Sequence, residues 1–352
     1  MSKNILVIGN GYDLAHGLNT KYDDFIKFIK DKAYDKYPDN ENAAKIKRIV
    51  GNEKNGFINY FLAYTNEVPG WVDLERLIKE IIEQFQTLFV NYHHYVSGGI
   101  FVSTKMTSAL FDVLMKFKMV KNETTRGSEK NFLIEEYSEK YGLAKQGIIK
   151  KLRKELDNLI DALEAYFMLE LEVNPIESKA AIRQIAEINP KYVISFNYTN
   201  LYKLYGINEE DVYHVHGKLG SKPNNMVLGF NDDDPENLDF IYFEKYFQRI
   251  QKWTGYINDE RFSYKDESGV THRGGMIVHF YGHSMDETDK DLIQKIDSLS
   301  KKLVIYYLNQ EDYEKKVINL IKIFGKDVAT KNIQVGKFEF VKCEEPKQNM
   351  KE

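Results

Sequence analysis

Asn4-Ile5-Leu6-Val7-Ile8-Gly9-Asn10-Gly11-Tyr12-Asp13-Leu14-Ala15-His16-Gly17-Leu18 is the stretch from which the rest of the chain is read. Ile5 to Ile8 form an unbroken branched and apolar run, the pattern of a strand buried on both faces and so of a parallel sheet. Gly9 and Gly11 close the run. Glycine lets backbone amides approach phosphate or ribose oxygens with no Cβ in the way, so a turn of this kind after a strand points to a nucleotide. It departs from the G-x-G-x-x-G turn that opens directly into a helix, because Leu14 holds the third glycine position. Helical spacing begins only with Tyr22, Phe25, Ile26 and Ile29, after Thr20 and Asp23, which resemble a capping box. The sequence therefore predicts a long turn that presents Asp13 and His16.

The chain has 352 residues, 43% of them apolar, which is enough for a large core in one or two domains. A net charge of −4 argues against a surface built wholly for nucleic acid. The single cysteine, Cys343, cannot form a disulfide framework or a cysteine-based zinc site, which fits a reducing cytoplasm. Neither a signal-peptide core nor an apolar run long enough to span a membrane is legible, so the expectation is a cytoplasmic protein with no membrane partner.

From about residue 34 the pattern turns helical. Ile58 to Tyr64, Leu74 to Val90, Ser108 to Lys118, Asn131 to Lys140 and Gly147 to Leu171 carry apolar residues at spacings of three and four among Lys and Glu. Strand and helix then alternate again. Tyr192 to Phe196, Asp211 to Val215, Met226 to Leu228, Gly275 to Tyr281 and Leu303 to Leu308 read as strands, while Glu177 to Ile188, Asp286 to Ser300 and Tyr313 to Phe324 read as helices. The expected architecture is α/β, a Rossmann-like parallel sheet with helices on both faces, interrupted by a large all-helical insertion. The sheet domain is expected to be discontinuous, residues 1–33 with 175–345, and the insertion is expected at 34–174.

In such sheets ligands bind beyond the carboxyl ends of the strands. Those ends carry Gly9-Asn10-Gly11-Tyr12-Asp13, Phe196-Asn197-Tyr198-Thr199, His214-Val215-His216-Gly217, Gly229-Phe230-Asn231 and Gly282-His283-Ser284-Met285. Glycine, asparagine, histidine and serine thus converge on one rim. His214 and His216, two apart, would share a face if the strand continued, yet no further carboxylate or histidine at convincing spacing completes a metal site, so none is expected.

The opening block, with T-K-Y-D-D-F after it and the later S-F-N-Y-T, H-V-H-G and G-H-S-M-D-E-T-D blocks, resembles the AbiH family of bacterial abortive-infection proteins over most of the chain. More distantly it is similar to sirtuin-like NAD-binding domains. The four-cysteine zinc module is missing, which argues against a protein-deacylating sirtuin. Asp13 and Thr199 stand where the sirtuin pattern has serine and aspartate. The resemblance implies an antiphage effector that binds NAD and hydrolyses its nicotinamide glycosidic bond, in a homo-oligomer that answers to an unknown phage-derived trigger.

Carried over, it implies a dinucleotide at Gly9, Asn10, Gly11, Tyr12 and Asp13, with Asn197 by the nicotinamide ribose and His216 as the catalytic histidine. Gly282 and Ser284 would contact the adenosine half, with Gly217 and His283 beside them. Glu75, in Trp71-Val72-Asp73-Leu74-Glu75, could orient a ribose hydroxyl or a water. The chemistry suits these groups, since an asparagine amide both donates and accepts and a histidine can take a proton at cellular pH. Two other readings stand beside it. One is a non-enzymatic binder of NAD or an ADP-ribose-like signal that acts by assembly. The other is a metal-dependent nuclease built on Glu339 and Lys342 with acid from Asp232 to Asp234.

Overall fold

In the computed structural model the described residues are 4–51, 54–67, 73–97, 100–101, 105–125, 128–139, 142–231, 238–255, 257, 259–265 and 268–344. They fall into two units. The first comprises Met1–Lys21, Glu170–Met226 and Arg249–Glu352, and the second Tyr22–Leu169 and Val227–Gln248.

The first unit is built on six parallel strands, β1 (Asn4–Ile8), β2 (Tyr192–Ser195), β3 (Val212–His214), β4 (Met276–Tyr281), β5 (Ser300–Tyr307) and β6 (Phe338–Lys342), in the spatial order β6-β5-β4-β1-β2-β3. β1 lies at the middle because its residues are apolar on both faces. Ile5 and Val7 join Val278, Phe280, Leu303 and Ile305 in a core under the helices α3 (Lys290–Leu299), α4 (Gln310–Phe324) and α5 (Lys326–Gln334). Leu6 and Ile8 join Val193, Tyr281, Val304 and Tyr306 on the other face, with α1 (Asn10–Ala15) and α2 (Arg183–Ile188) supplying Tyr12, Ile185 and Ile188. Each such side chain, taken fully from water, contributes about 1.5–3 kcal/mol, which fixes this strand at the centre.

The turn after β1 differs from the expected long loop. Helix α1 starts at once, at Asn10, with Gly9 in extended backbone as its N-cap. The helix lasts only six residues and ends at His16 and Gly17, whose φ is +74°. The Thr20 hydroxyl donates to Oδ1 of Asn10 at 2.6 Å and ties the chain back to the turn.

The second unit contains the helices Tyr22–Lys30, Glu41–Val50, Gly56–Glu67, Leu74–Tyr95 and Ser108–Lys116 and most of Lys145–Val173. Aromatic rings hold it together, with Phe25 5.5 Å from Tyr166 and Phe117 5.0 Å from Phe57 and 5.4 Å from Phe85. It is not all-helical. Val96–Ser97, Ile100–Phe101, Ser128–Leu133 and Val120–Thr125 form a small antiparallel sheet, and Ser138–Glu139 pairs with Gly142–Leu143. Where a helix is expected from Asn131 to Lys140, the described residues up to Glu139 are strand and a 3₁₀ turn, since a short apolar run such as Phe132 to Ile134 fits either period.

Met226 to Leu228 is not a strand of the main sheet either. Val227–Gln248 belongs to the second unit, where Phe243 meets Phe57, Phe240 meets Phe89, and Gln248 bonds to both the amide and the carbonyl of Leu228. The boundary after β1 falls between Lys21 and Tyr22 because Phe25 packs on Tyr166. Among the described residues no helix is long and apolar enough to cross a membrane.

Candidate active site

Strand register brings the rim together. Ile8 is level with Ser195 on one side and Tyr281 on the other, and Ser195 is level with His214. Gly9, Asn197, His216 and His283 therefore leave the sheet side by side, although they are up to 274 residues apart in sequence.

The glycine turn and the loop after β4 interlock. The amide of Gly11 donates to the carbonyl of Gly282 at 2.7 Å, and that of Gly9 to Tyr281 at 3.3 Å. A Cβ on Gly11 would stand 2.8 Å from Cα of Gly282, and one on Gly282, whose φ is +67°, would stand 2.0 Å from the nitrogen of Tyr12. Close approach of the chain's own backbone is thus one reason for glycine at all three positions.

Asp13 faces inward. Its carboxylate accepts from Nδ2 of Asn197 at 2.8 Å and from the Thr199 hydroxyl at 2.9 Å to each oxygen, and it is 2% exposed. Burial pushes its carboxyl up to about 7, against the pull of those two hydrogen bonds. The other hydrogen of the Asn197 amide goes to the carbonyl of Gly9 at 2.9 Å. Asn197 and Asp13 thus pin the turn after β1 to the end of β2.

His216 sits beside this pin. Its Nε2 lies 3.0 Å from Oδ1 of Asp289, off the line of a straight hydrogen bond, and Oδ2 of Asp289 is 3.8 Å from Nε2 of His283. The Phe196 ring stands edge-on to both imidazoles, with centroids 5.2 Å from His216 and 4.3 Å from His283. Nδ1 of His283 accepts from the amide of Met285 at 2.9 Å, which leaves the proton of the neutral ring on Nε2. A buried imidazole next to a carboxylate and an aromatic wall can exchange a proton with a bound water or hydroxyl, which is what general-base chemistry asks for.

A family model described as bacteriophage abortive infection AbiH matches residues 5–308, from β1 through the end of β5. The chain belongs to the AbiH family. Its role is therefore in abortive infection by bacteriophage. No curated protein and no solved structure matches it.

The other residues singled out in this AbiH chain are distributed as follows. Tyr12 is fully buried, with its ring 4.5 Å from His16, and packs in the core under the turn. Asn10 and Ser284 are exposed, and the carbonyl of Ser284 accepts from Asn319. Gly217 has φ +82°, its amide donates to the Thr254 hydroxyl at 3.1 Å, and a Cβ there would stand 2.1 Å from the carbonyl of Asn225. Glu75 belongs to the second unit, where its carboxylate pairs with the buried ammonium of Lys245 at 2.6 Å, while Asp73 caps the helix by accepting from the amide of Arg76. Trp71 and Asp232 to Asp234 lie outside the described residues.

His214 does not join His216. It pairs with Glu209 at 3.2 Å and packs on Tyr202, because β3 ends at His214 and the alternation of a strand does not extend to residue 216. Lys218 also pairs with Glu209. Glu339 pairs with Lys302 across β5 and β6. Among the described residues no group of three or more His, Cys, Asp or Glu is placed to hold a metal ion.

Two groups at the site had no prominence in the sequence. Asp289 stands in D-E-T-D, within the stretch Asp286 to Ser300 that reads as a helix, and only the fold sets it against His216. Thr254 accepts from Gly217 and donates to the carbonyl of His214, and no sequence signal marks it.

Proposed function

We propose that this AbiH chain binds a nicotinamide-type dinucleotide at the carboxyl rim of its parallel sheet and hydrolyses the bond between nicotinamide and ribose. The supporting observation is that buried Asp13, Asn197, His216 and His283 meet there beside the glycine turn, in the position where α/β sheets take ligands. The distant likeness to sirtuin-like domains rests on Gly9, Gly11, Asn197, His216, Gly217, Gly282 and Ser284, and Asp13 departs from it.

In this reading a water attacks the anomeric carbon as nicotinamide departs with the bonding electron pair, and His216 takes the proton that the water loses. Positive charge grows on the ribose in the transition state, so orientation and exclusion of bulk water matter more than a strong nucleophile. The products are nicotinamide, ADP-ribose and a proton that passes from His216 to solvent.

The second reading is a binder of NAD or an ADP-ribose-like signal that does not cleave it and acts through assembly. It is favoured by the internal use of polar groups, since both amide hydrogens of Asn197 and the amide of Gly11 already have partners within the chain. One assay separates the two. Purified protein is incubated with NAD, with and without lysate of phage-infected cells, and nicotinamide is measured. Release that His216→Gln abolishes supports the enzyme, and retained binding without release in either condition supports the binder.

A further inference from the structure

We propose that Asp289 is the positioning residue for His216, with His283 standing 3.8 Å from the other oxygen of the same carboxylate. The inference rests on the catalytic reading of His216 above and names how that histidine would be kept in its working state.

Three independent features carry it. The first is geometry, because one carboxylate stands between two imidazoles, 3.0 Å from Nε2 of His216 and 3.8 Å from Nε2 of His283. All three residues are buried, at 5%, 3% and 6% exposure for His216, His283 and Asp289, so water does not screen them.

The second is the direction of the hydrogen bonds. The Met285 amide can only donate, so Nδ1 of His283 accepts and its Nε2–H is turned to Asp289. A carboxylate that faces Nε2 of His216 favours the proton on that nitrogen as well. Nδ1 of His216 is then the nitrogen that takes up a proton during the reaction, and the carboxylate offsets the charge that the ring acquires.

The third is a local rule that Asp289 breaks. It occupies the N-cap position of α3, where an aspartate ordinarily accepts from the first turn of the helix, and its side chain makes no such bond. Asp286, three residues earlier, does the usual thing and accepts from the amide of Thr288 at 3.0 Å. The carboxylate of Asp289 is turned instead to the histidines. Leu292, Ile293 and Ile296 anchor α3 in the core, so the carboxylate stands on a rigid support.

The test is made on the full chain with nitrogen-15-labelled histidine, with the His216 signal assigned by its loss in His216→Gln. In the wild type at neutral pH the His216 signal is expected in the Nε2–H form, and in Asp289→Asn it is expected to shift toward the Nδ1–H form. Nicotinamide release by Asp289→Asn is expected to fall roughly 100-fold in kcat with KM within about twofold. A wild-type His216 that carries its proton on Nδ1 overturns the proposal, even should Asp289→Asn fail to fold. So does an Asp289→Asn protein with unchanged kcat, or with KM alone altered. A wild type that releases no nicotinamide defeats the hydrolase reading, and the tautomer measurement then still decides the role of Asp289.

Discussion

The hydroxyl of Thr199 lies 2.9 Å from both carboxylate oxygens of Asp13, and the pair joins residues 186 positions apart in sequence. The burial that comes with this contact gives the folded protein a carboxyl that titrates at about 7 instead of in the ordinary carboxylate range. Between about pH 4 and pH 7 the folded state therefore holds a proton that the unfolded chain has released. Asp13 lowers stability as pH rises through that window, on the order of 1 kcal/mol per unit. In Asp13→Asn this fall is expected to vanish, as read from urea denaturation at several pH values.

His279 has the opposite sign. Burial depresses its ring to about 4, so between about pH 4 and pH 6.5 the unfolded chain binds the extra proton and stability rises with pH. In the wild type the two slopes oppose each other over the shared part of the window. His279→Gln is expected to uncover the Asp13 slope, with stability falling more steeply from pH 4 to 6.5 than in the wild type, and the same denaturation series reads it.

Gly282 and Gly206 both have positive φ, +67° and +69°, yet their surroundings differ. A Cβ at Gly206 meets nothing within 4 Å, so Gly206→Ala carries only the backbone strain, about 1 kcal/mol. A Cβ at Gly282 would reach the nitrogen of Tyr12 and the carbonyl carbon of Gly11, so Gly282→Ala must push the interlocked loops apart. It is expected to cost more than about 3 kcal/mol, or to prevent folding. Thermal denaturation of the two variants side by side checks the ordering.

Glu75→Gln would remove the carboxylate that lies 2.6 Å from the ammonium of Lys245, a residue 1% exposed. A loss of about 3–5 kcal/mol is expected, and a Glu75→Gln, Lys245→Met double variant should recover most of it. Equal stability of the single variant and the wild type would show that the pair is not a structural one.

Much of the first unit is legible in the sequence because burial on both faces writes a continuous signal. Ile5 to Ile8, Tyr192 to Ser195 and Met276 to Tyr281 are strands for that reason, and since ligands gather at strand ends their last residues mark the rim. The same logic failed at Met226 to Leu228, an equally apolar run that packs among helices. Apolar residues report burial, not what buries them. Short strands such as Val120–Thr125 were hidden by polar composition. Asp289 carries no signal of its own because it lies within the stretch that reads as a helix from Asp286, and a side chain's choice between its own helix and a distant histidine leaves no trace in local pattern.

The central strand of the sheet is made first by the ribosome and receives its neighbours β2 and β4 about 190 and 270 residues later. Pairing over such separations is slow and must wait for nearly the whole polypeptide. A nascent or truncated product that stops before β4 contains His216 without His283 or Asp289 and without the loop that locks the glycine turn. The arrangement thus delays assembly of the rim until translation has passed residue 289, and a broken message leaves the rim unbuilt.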